Sequence, residues 1–137
     1  MKIQEIMHQG VETTTPDSTI KEAARKMHDL HIGALPVLEG DTLAGIITDR
    51  DICIKVVATG RDAVMTQVKE VMTKEIATCF DDQDVEDAAK VMQEKHIHRM
   101  AILSRDNTLS GFLSVDDLAK SSFNLAGDVL ATTATIH

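Results

Sequence analysis

A chain of 137 residues with no Trp, no Tyr and three Phe must fill its core with aliphatic side chains, and it lacks the aromatics that sheet-based nucleic-acid modules use to stack bases. A formal charge of −8 repels phosphate backbones and anionic membranes, yet leaves room for a small anionic ligand in a locally positive pocket. No stretch approaches the roughly 20 apolar residues of a membrane span. The start, Met1-Lys2-Ile3-Gln4-Glu5, lacks the apolar run of a secretory signal, and Cys53 and Cys79 alone make no disulfide framework. These features lead us to expect a cytoplasmic protein that binds neither nucleic acid nor membrane.

In chain order, a short helical turn is predicted from Ile3 to Met7, then a brief extended stretch around Thr13. A helix follows, opened by Thr19-Ile20-Lys21-Glu22, a hydroxyl with a carboxylate three residues on, as in a capping box. Ile20, Ala23, Ala24, Met27 and Leu30 form its apolar stripe. Two apolar runs, Ala34 to Leu38 and Leu43 to Ile47, flank the turn Glu39-Gly40-Asp41 and read as a β-hairpin; a last helix begins at Thr48. After Gly60-Arg61-Asp62 the same series returns 65 residues on: a turn from Val68 to Met72, an extended stretch around Thr78, and a helix opened by Asp84-Val85-Glu86-Asp87 with the stripe Val85, Ala88, Ala89, Met92. The second hairpin, Met100 to Leu103 and Leu109 to Leu113, has the turn Arg105-Asp106-Asn107, whose extra residue moves the offset to 66; a helix begins at Ser114.

Each half offers a small sheet with too little surface to bury its apolar side alone, so the fold expected is α/β of the α+β kind, with the two halves packed sheet to sheet about a pseudo-two-fold axis. Residues 1–62 and 63–122 are the two motifs and 123–137 a tail, all within one structural module. The tail is open between a short helix at a dimer contact and no fixed structure.

Two patterns carry candidate chemistry. One is Gly33-Ala34-Leu35-Pro36-Val37; the other is Gly45-Ile46-Ile47-Thr48-Asp49-Arg50-Asp51, matched by Gly111-Phe112-Leu113-Ser114-Val115-Asp116-Asp117. On these patterns the chain resembles the CBS-domain pair, the cystathionine β-synthase domain in tandem or Bateman module, over essentially its full length. The TDRDI segment with Ile54-Lys55 and Ala58-Thr59-Gly60 resembles stand-alone bacterial CBS pairs of the hypoxic response protein type. The resemblance implies a β-α-β-β-α motif in each half and two clefts that take AMP, ADP, ATP, NAD or S-adenosylmethionine, usually in disc-shaped homodimers. It further implies that Asp51 and Asp117 hold ribose hydroxyls, that Thr48 and Ser114 contact phosphate, and that Gly33, Ala34, Pro36 and Ile47 line a cleft with Thr13 and Thr78 beside the base. A carboxylate one turn into a helix suits paired hydroxyl donors, and free N–H groups at the helix start suit an anion. The same Thr48-x-x-Asp51 and Ser114-x-x-Asp117 spacings are also capping boxes, with Asp for Glu.

The second half departs from the first, with His98-Arg99-Met100-Ala101 in place of Gly33-Ala34-Leu35-Pro36. That reads either as a degenerate, empty site or, since Ile97-His98-Arg99 resembles the IHR of adenylate-sensing CBS modules, as a basic pair meeting phosphate. Arg99 is thus a phosphate contact or an exposed strand-edge residue, and Arg50 a phosphate contact or an ion-pair partner of Asp49 or Asp51. His31 and His96 fall at helix C-termini, where the helix dipole accounts for them better than zinc does. The cysteines read as buried free thiols. No nucleophile elbow, P-loop, dinucleotide fingerprint or His-Glu-x-x-His is present. The expectation is a non-enzymatic sensor of an adenosine nucleotide, a homodimer with an unidentified protein target and no obligatory cofactor. The alternatives are an interaction module with empty clefts and a metal- or redox-responsive protein.

Overall fold

The computed structural model describes residues 1–133; of the tail, positions 134–137 lie outside the described residues. Helix α1 (Ile20–Leu30) starts on the expected capping box: Thr19 Oγ1 accepts the Glu22 N–H at 3.1 Å and Glu22 Oε1 accepts the Thr19 N–H at 3.3 Å. Ile20, Ala23 and Met27 are buried, whereas Leu30 is exposed, because the helix ends there and His31 turns the chain aside at φ 55°. The hairpin pairs β1 (Ala34–Glu39) with β2 (Thr42–Thr48), Leu35 opposite Ile47, around Gly40 at φ 64°. Thr48 then opens α2 (Asp49–Ile52), which runs on as one π-helical turn, Cys53–Val57.

The series repeats after the short α3 (Val68–Val71): β3 (Thr78–Phe80), α4 (Val85–Lys95), β4 (Arg99–Leu103), β5 (Leu109–Ser114) and α5 (Val115–Ser121). Two details differ between the copies. Asp84 makes no side-chain cap on α4, since the N–H of Asp87 bonds the Asp84 backbone carbonyl instead, at 3.0 Å. The extended stretch at Thr78 forms a strand parallel to β4, but around Thr13 it shrinks to a single bridge of Thr14 to Val37. Two prolines explain this: Pro36 stands where the second copy has Ala101, and Pro16 where it has Asp81, whose N–H donates to Leu103 O at 2.9 Å; without an N–H neither can extend the ladder. The described part of the tail is helical, α6 (Phe123–Thr133), and its Ala126 and Val129 are buried against the helices α4 and α5.

The described chain forms two compact units whose limits are not those of the repeats: Glu12–Ile76 is one, and Met1–Val11 with Ala77 onward is the other. The helical turn that opens each repeat is built into the unit formed by the other repeat. Val68 and Val71 complete the core of Ile20, Ala23, Met27, Leu35, Val37, Ile47 and Val56. Their counterpart Ile3, from the 3₁₀ turn Ile3–Glu5, is fully buried among Val85, Ala88, Met92, Met100, Ile102 and Leu113. The backbone follows suit, with Ile20 N–H donating to Thr66 O at 2.9 Å and Val85 N–H to Met1 O at 3.0 Å, so these segments also satisfy the first donors of both long helices. The class is α+β, with a two-stranded and a three-stranded sheet.

Candidate functional site

In the unit Glu12–Ile76, strand β2 delivers Thr48 to the start of α2. Its Oγ1 accepts the Asp51 N–H at 3.0 Å, and Asp51 Oδ2 accepts the Thr48 N–H at 3.1 Å. The capping reading is therefore realised in full. Asp51 does more than cap, however, for its side chain is only 10% exposed and takes two further donors. Lys55 Nζ lies 3.0 Å from Oδ1, and Thr73 Oγ1 lies 3.3 Å from both carboxylate oxygens. Such donors replace the water that burial takes from a carboxylate. Lys55, half exposed, also donates to Val71 O at 3.0 Å.

The hairpin register sets Ala34 opposite Thr48, and the Asp49 N–H donates to Gly33 O at 2.9 Å, so Gly33, Ala34, Thr48 and Asp51 converge at one end of the sheet. Pro36 is buried two residues along β1, and Ile47 is fully buried in the aliphatic core. The ion pair of Asp51 is with Lys55 rather than Arg50, whose exposed side chain extends from the first turn of α2. Thr13 accepts a 2.6 Å hydrogen bond from Lys26 Nζ at its carbonyl.

The other unit repeats the arrangement with different partners. Asp117 Oδ2 accepts from Ser114 N at 2.9 Å and Ser114 Oγ at 3.1 Å, and Asp117 is 1% exposed. Its Oδ1 is held by His8 Nε2 at 2.9 Å, with Lys120 Nζ at 4.0 Å. The Val115 N–H donates to His98 O at 2.8 Å, and Arg99 pairs with Ser114 across the hairpin, so this half-site is assembled as the first is. Thr78 lies in the same sheet, opposite Ala101 on β4.

Sequence reasoning missed Lys55, Thr73 and His8. Lys55 carried a usable signal, standing four residues after Asp51 on one helix face. The other two carried none, since they reach their carboxylates only through the exchanged segments. Among the described residues no group of three or more His, Cys, Asp or Glu is placed to hold a metal ion, and His31 and His96 are left-handed helix caps. Both cysteines are free; Cys79 is buried as expected, but Cys53 is exposed on the π-helical turn. Among the described residues no helix is long and apolar enough to cross a membrane.

The family model for the CBS domain matches residues 3–58 and again 68–124. The chain belongs to the CBS-domain family. This CBS pair is 38% identical over 135 residues to the CBS domain-containing protein YhcV of Bacillus subtilis, covering 98% of this chain and 95% of that one. It is 31% identical over 118 residues to hypoxic response protein 1 of Mycobacterium tuberculosis, covering 85% of this chain and 82% of that protein, which supports the likeness read from the TDRDI segment. Elsewhere the match is part of a longer protein, as in an inosine-5'-monophosphate dehydrogenase of Methanocaldococcus jannaschii, where it takes up 23% of the enzyme. Among solved structures, the CBS domain protein TA0289 of Thermoplasma acidophilum shares the fold, with a TM-score of 0.88 at 23% identity over 98% of this chain and 77% of that one.

Proposed function

We propose that this CBS pair is a regulatory module that binds an adenosine-containing nucleotide, AMP, ADP or ATP before NAD or S-adenosylmethionine, and catalyses no reaction. The observation that carries this reading is the pairing of the buried Asp51 carboxylate with the Lys55 ammonium, 3.0 Å apart on the first turns of one helix. A carboxylate accepts the two vicinal hydroxyls of a ribose, and the Lys55 ammonium, on a flexible stem, can exchange Asp51 and Val71 O for a phosphate. In this reading Thr48, at the helix start, contacts phosphate, the Gly33, Ala34 and Pro36 segment lines the cleft, and Thr13 lies beside the base. In the second motif Ser114, Asp117, His98, Arg99 and Thr78 occupy the corresponding places. A structure of the same fold, the CBS pair of protein MJ0100, was solved with 5'-methylthioadenosine and S-adenosyl-L-methionine; at 24% identity and a TM-score of 0.79 it speaks for a fold that accommodates adenosine ligands. We infer that the output passes through a homodimer or a cytoplasmic protein target.

The test is a thermal-shift panel of AMP, ADP, ATP, NAD and S-adenosylmethionine on the wild type and on Asp51→Ala. A nucleotide at 100 times its Kd adds about 2.7 kcal/mol, which raises Tm by several degrees. A rise with one nucleotide, lost in Asp51→Ala, supports the sensor. No rise with any of them leaves the boxes as helix caps and turns the search to protein partners.

A further inference from the structure

The repeat offset places His8 on Thr73, and the structure gives the two residues the same task. Each enters as a single antiparallel bridge against the second strand of the hairpin it joins. His8 N–H donates to Phe112 O at 2.9 Å and accepts Phe112 N–H at 3.0 Å on its carbonyl; Thr73 N–H donates to Ile46 O at 2.8 Å and accepts Ile46 N–H at 3.0 Å. Both side chains then reach the carboxylate of the motif, but with unequal grip. Thr73 offers one rotatable hydroxyl at 3.3 Å from the Asp51 oxygens, longer than an ordinary O–H donor bond, while the Thr48 N–H at 3.1 Å on Oδ2 and Lys55 Nζ at 3.0 Å on Oδ1 complete the shell of Asp51. His8 sets an imidazole nitrogen 2.9 Å from Asp117 Oδ1, and Ser114 engages Oδ2 twice, so both oxygens of Asp117 are committed and the group is 1% exposed.

Resting on the nucleotide reading above, we propose that His8 decides which motif takes the ligand. It occupies the acceptor on Asp117 that a ribose hydroxyl would need, and so closes the second motif; in the first motif that acceptor is held by Lys55, a cation on a flexible stem for which the ligand's phosphate is a replacement partner, and Thr73 adds only a long contact. A threonine hydroxyl can rotate aside when a pair of hydroxyls arrives, whereas the His8 ring must leave its carboxylate and vacate the space. The sequence difference between the copies at this one position thus turns two similar motifs into one working site.

The experiment is calorimetric titration of the full chain with AMP and with ATP. The wild type is expected to take one equivalent per chain, lost in Asp51→Asn. His8→Thr takes two, His8→Thr with Asp117→Asn returns to one, and Thr73→His takes none. His8→Ser replaces His8→Thr should the latter not give the wild-type far-UV circular dichroism. Two equivalents in the wild type, or one in a folded His8→Thr and His8→Ser, overturns the assignment while the nucleotide reading stands. Absence of binding by every variant removes the nucleotide reading and the role of His8 together.

Discussion

The carbonyl oxygen of Thr73 lies 2.6 Å from the point a Cβ on Gly45 would occupy, and the carbonyl of His8 lies 2.5 Å from the same point on Gly111. Real Cβ atoms do not come that close to a backbone oxygen. These two glycines are the openings through which the exchanged segments dock on their hairpins, and the side chains that reach Asp51 and Asp117 are hung on the residues so docked.

Gly45→Ala and Gly111→Ala are therefore expected to destabilise by about 1–3 kcal/mol or more, because the obstructing atom is main chain and cannot swing away. Gly127→Ala serves as the opposite control. It lies in α6 with nothing within 4 Å of the new methyl, and the gain in helix propensity is about 0.5–1 kcal/mol. Urea denaturation of the three variants checks the signs.

Truncating Ile3 to Ala removes a fully buried side chain from the core of α4, β4 and β5, at an expected loss of about 2–5 kcal/mol. The same exchange says which fragment folds. Residues 12–76, which keep Val68 and Val71, should give a cooperative melt by circular dichroism, and residues 1–62, which lack them and carry an unpartnered Ile3, should not.

Acid should weaken the fold through a few surface carboxylates. The Gln67 backbone N–H, aided by Arg61, holds the Glu70 carboxyl below its ordinary range, and Arg105 does the same to Asp82. Ser104 and Thr108 hold down Asp106. A carboxyl depressed in the folded state contributes stability that is complete above its unfolded value, near pH 4, and is lost as pH falls through its folded value. Tm should fall between about pH 5 and pH 3. In Glu70→Gln with Asp82→Asn the fall should be shallower and the curves should converge at the acid end.

The two thiols should react in sequence. Burial, with the Asp87 charge behind it, pushes the Cys79 thiol up, while Cys53 is exposed. Since the thiolate is the nucleophile, a chromogenic disulfide reagent at pH 8 should titrate one thiol on the folded chain and two in denaturant. A fold that yields two at once, or none, would contradict this placement.

Much of this architecture was legible in the sequence. The stripe Ile20, Ala23, Met27, the hairpin around Gly40, and the boxes at Thr19, Thr48 and Ser114 all stand where local chemistry put them, because each depends on residues within a few positions of one another. What escaped depends on distant pairing. Ile3 and Val68 are equivalent apolar residues, so a turn packed on its own hairpin and one packed on the other repeat present the same pattern; sequence periodicity is blind to the choice. Thr73 and His8 follow from that blindness, through the exchange itself; Lys55, four residues from Asp51 on one helix, was within local reach. At Pro36 the missing N–H was visible, but its effect needed the knowledge that the strand beside it would be parallel.

The exchange also sets a timetable for biosynthesis. Residues 1–11 leave the ribosome well before β3, α4 and the second hairpin exist, and at roughly 5–20 residues per second the intervening stretch takes about 3–13 s to make. The unit Glu12–Ile76 closes in the meantime from contiguous chain. Until synthesis catches up, Ile3 is a nascent apolar group without its seat, made a whole repeat ahead of the core that buries it.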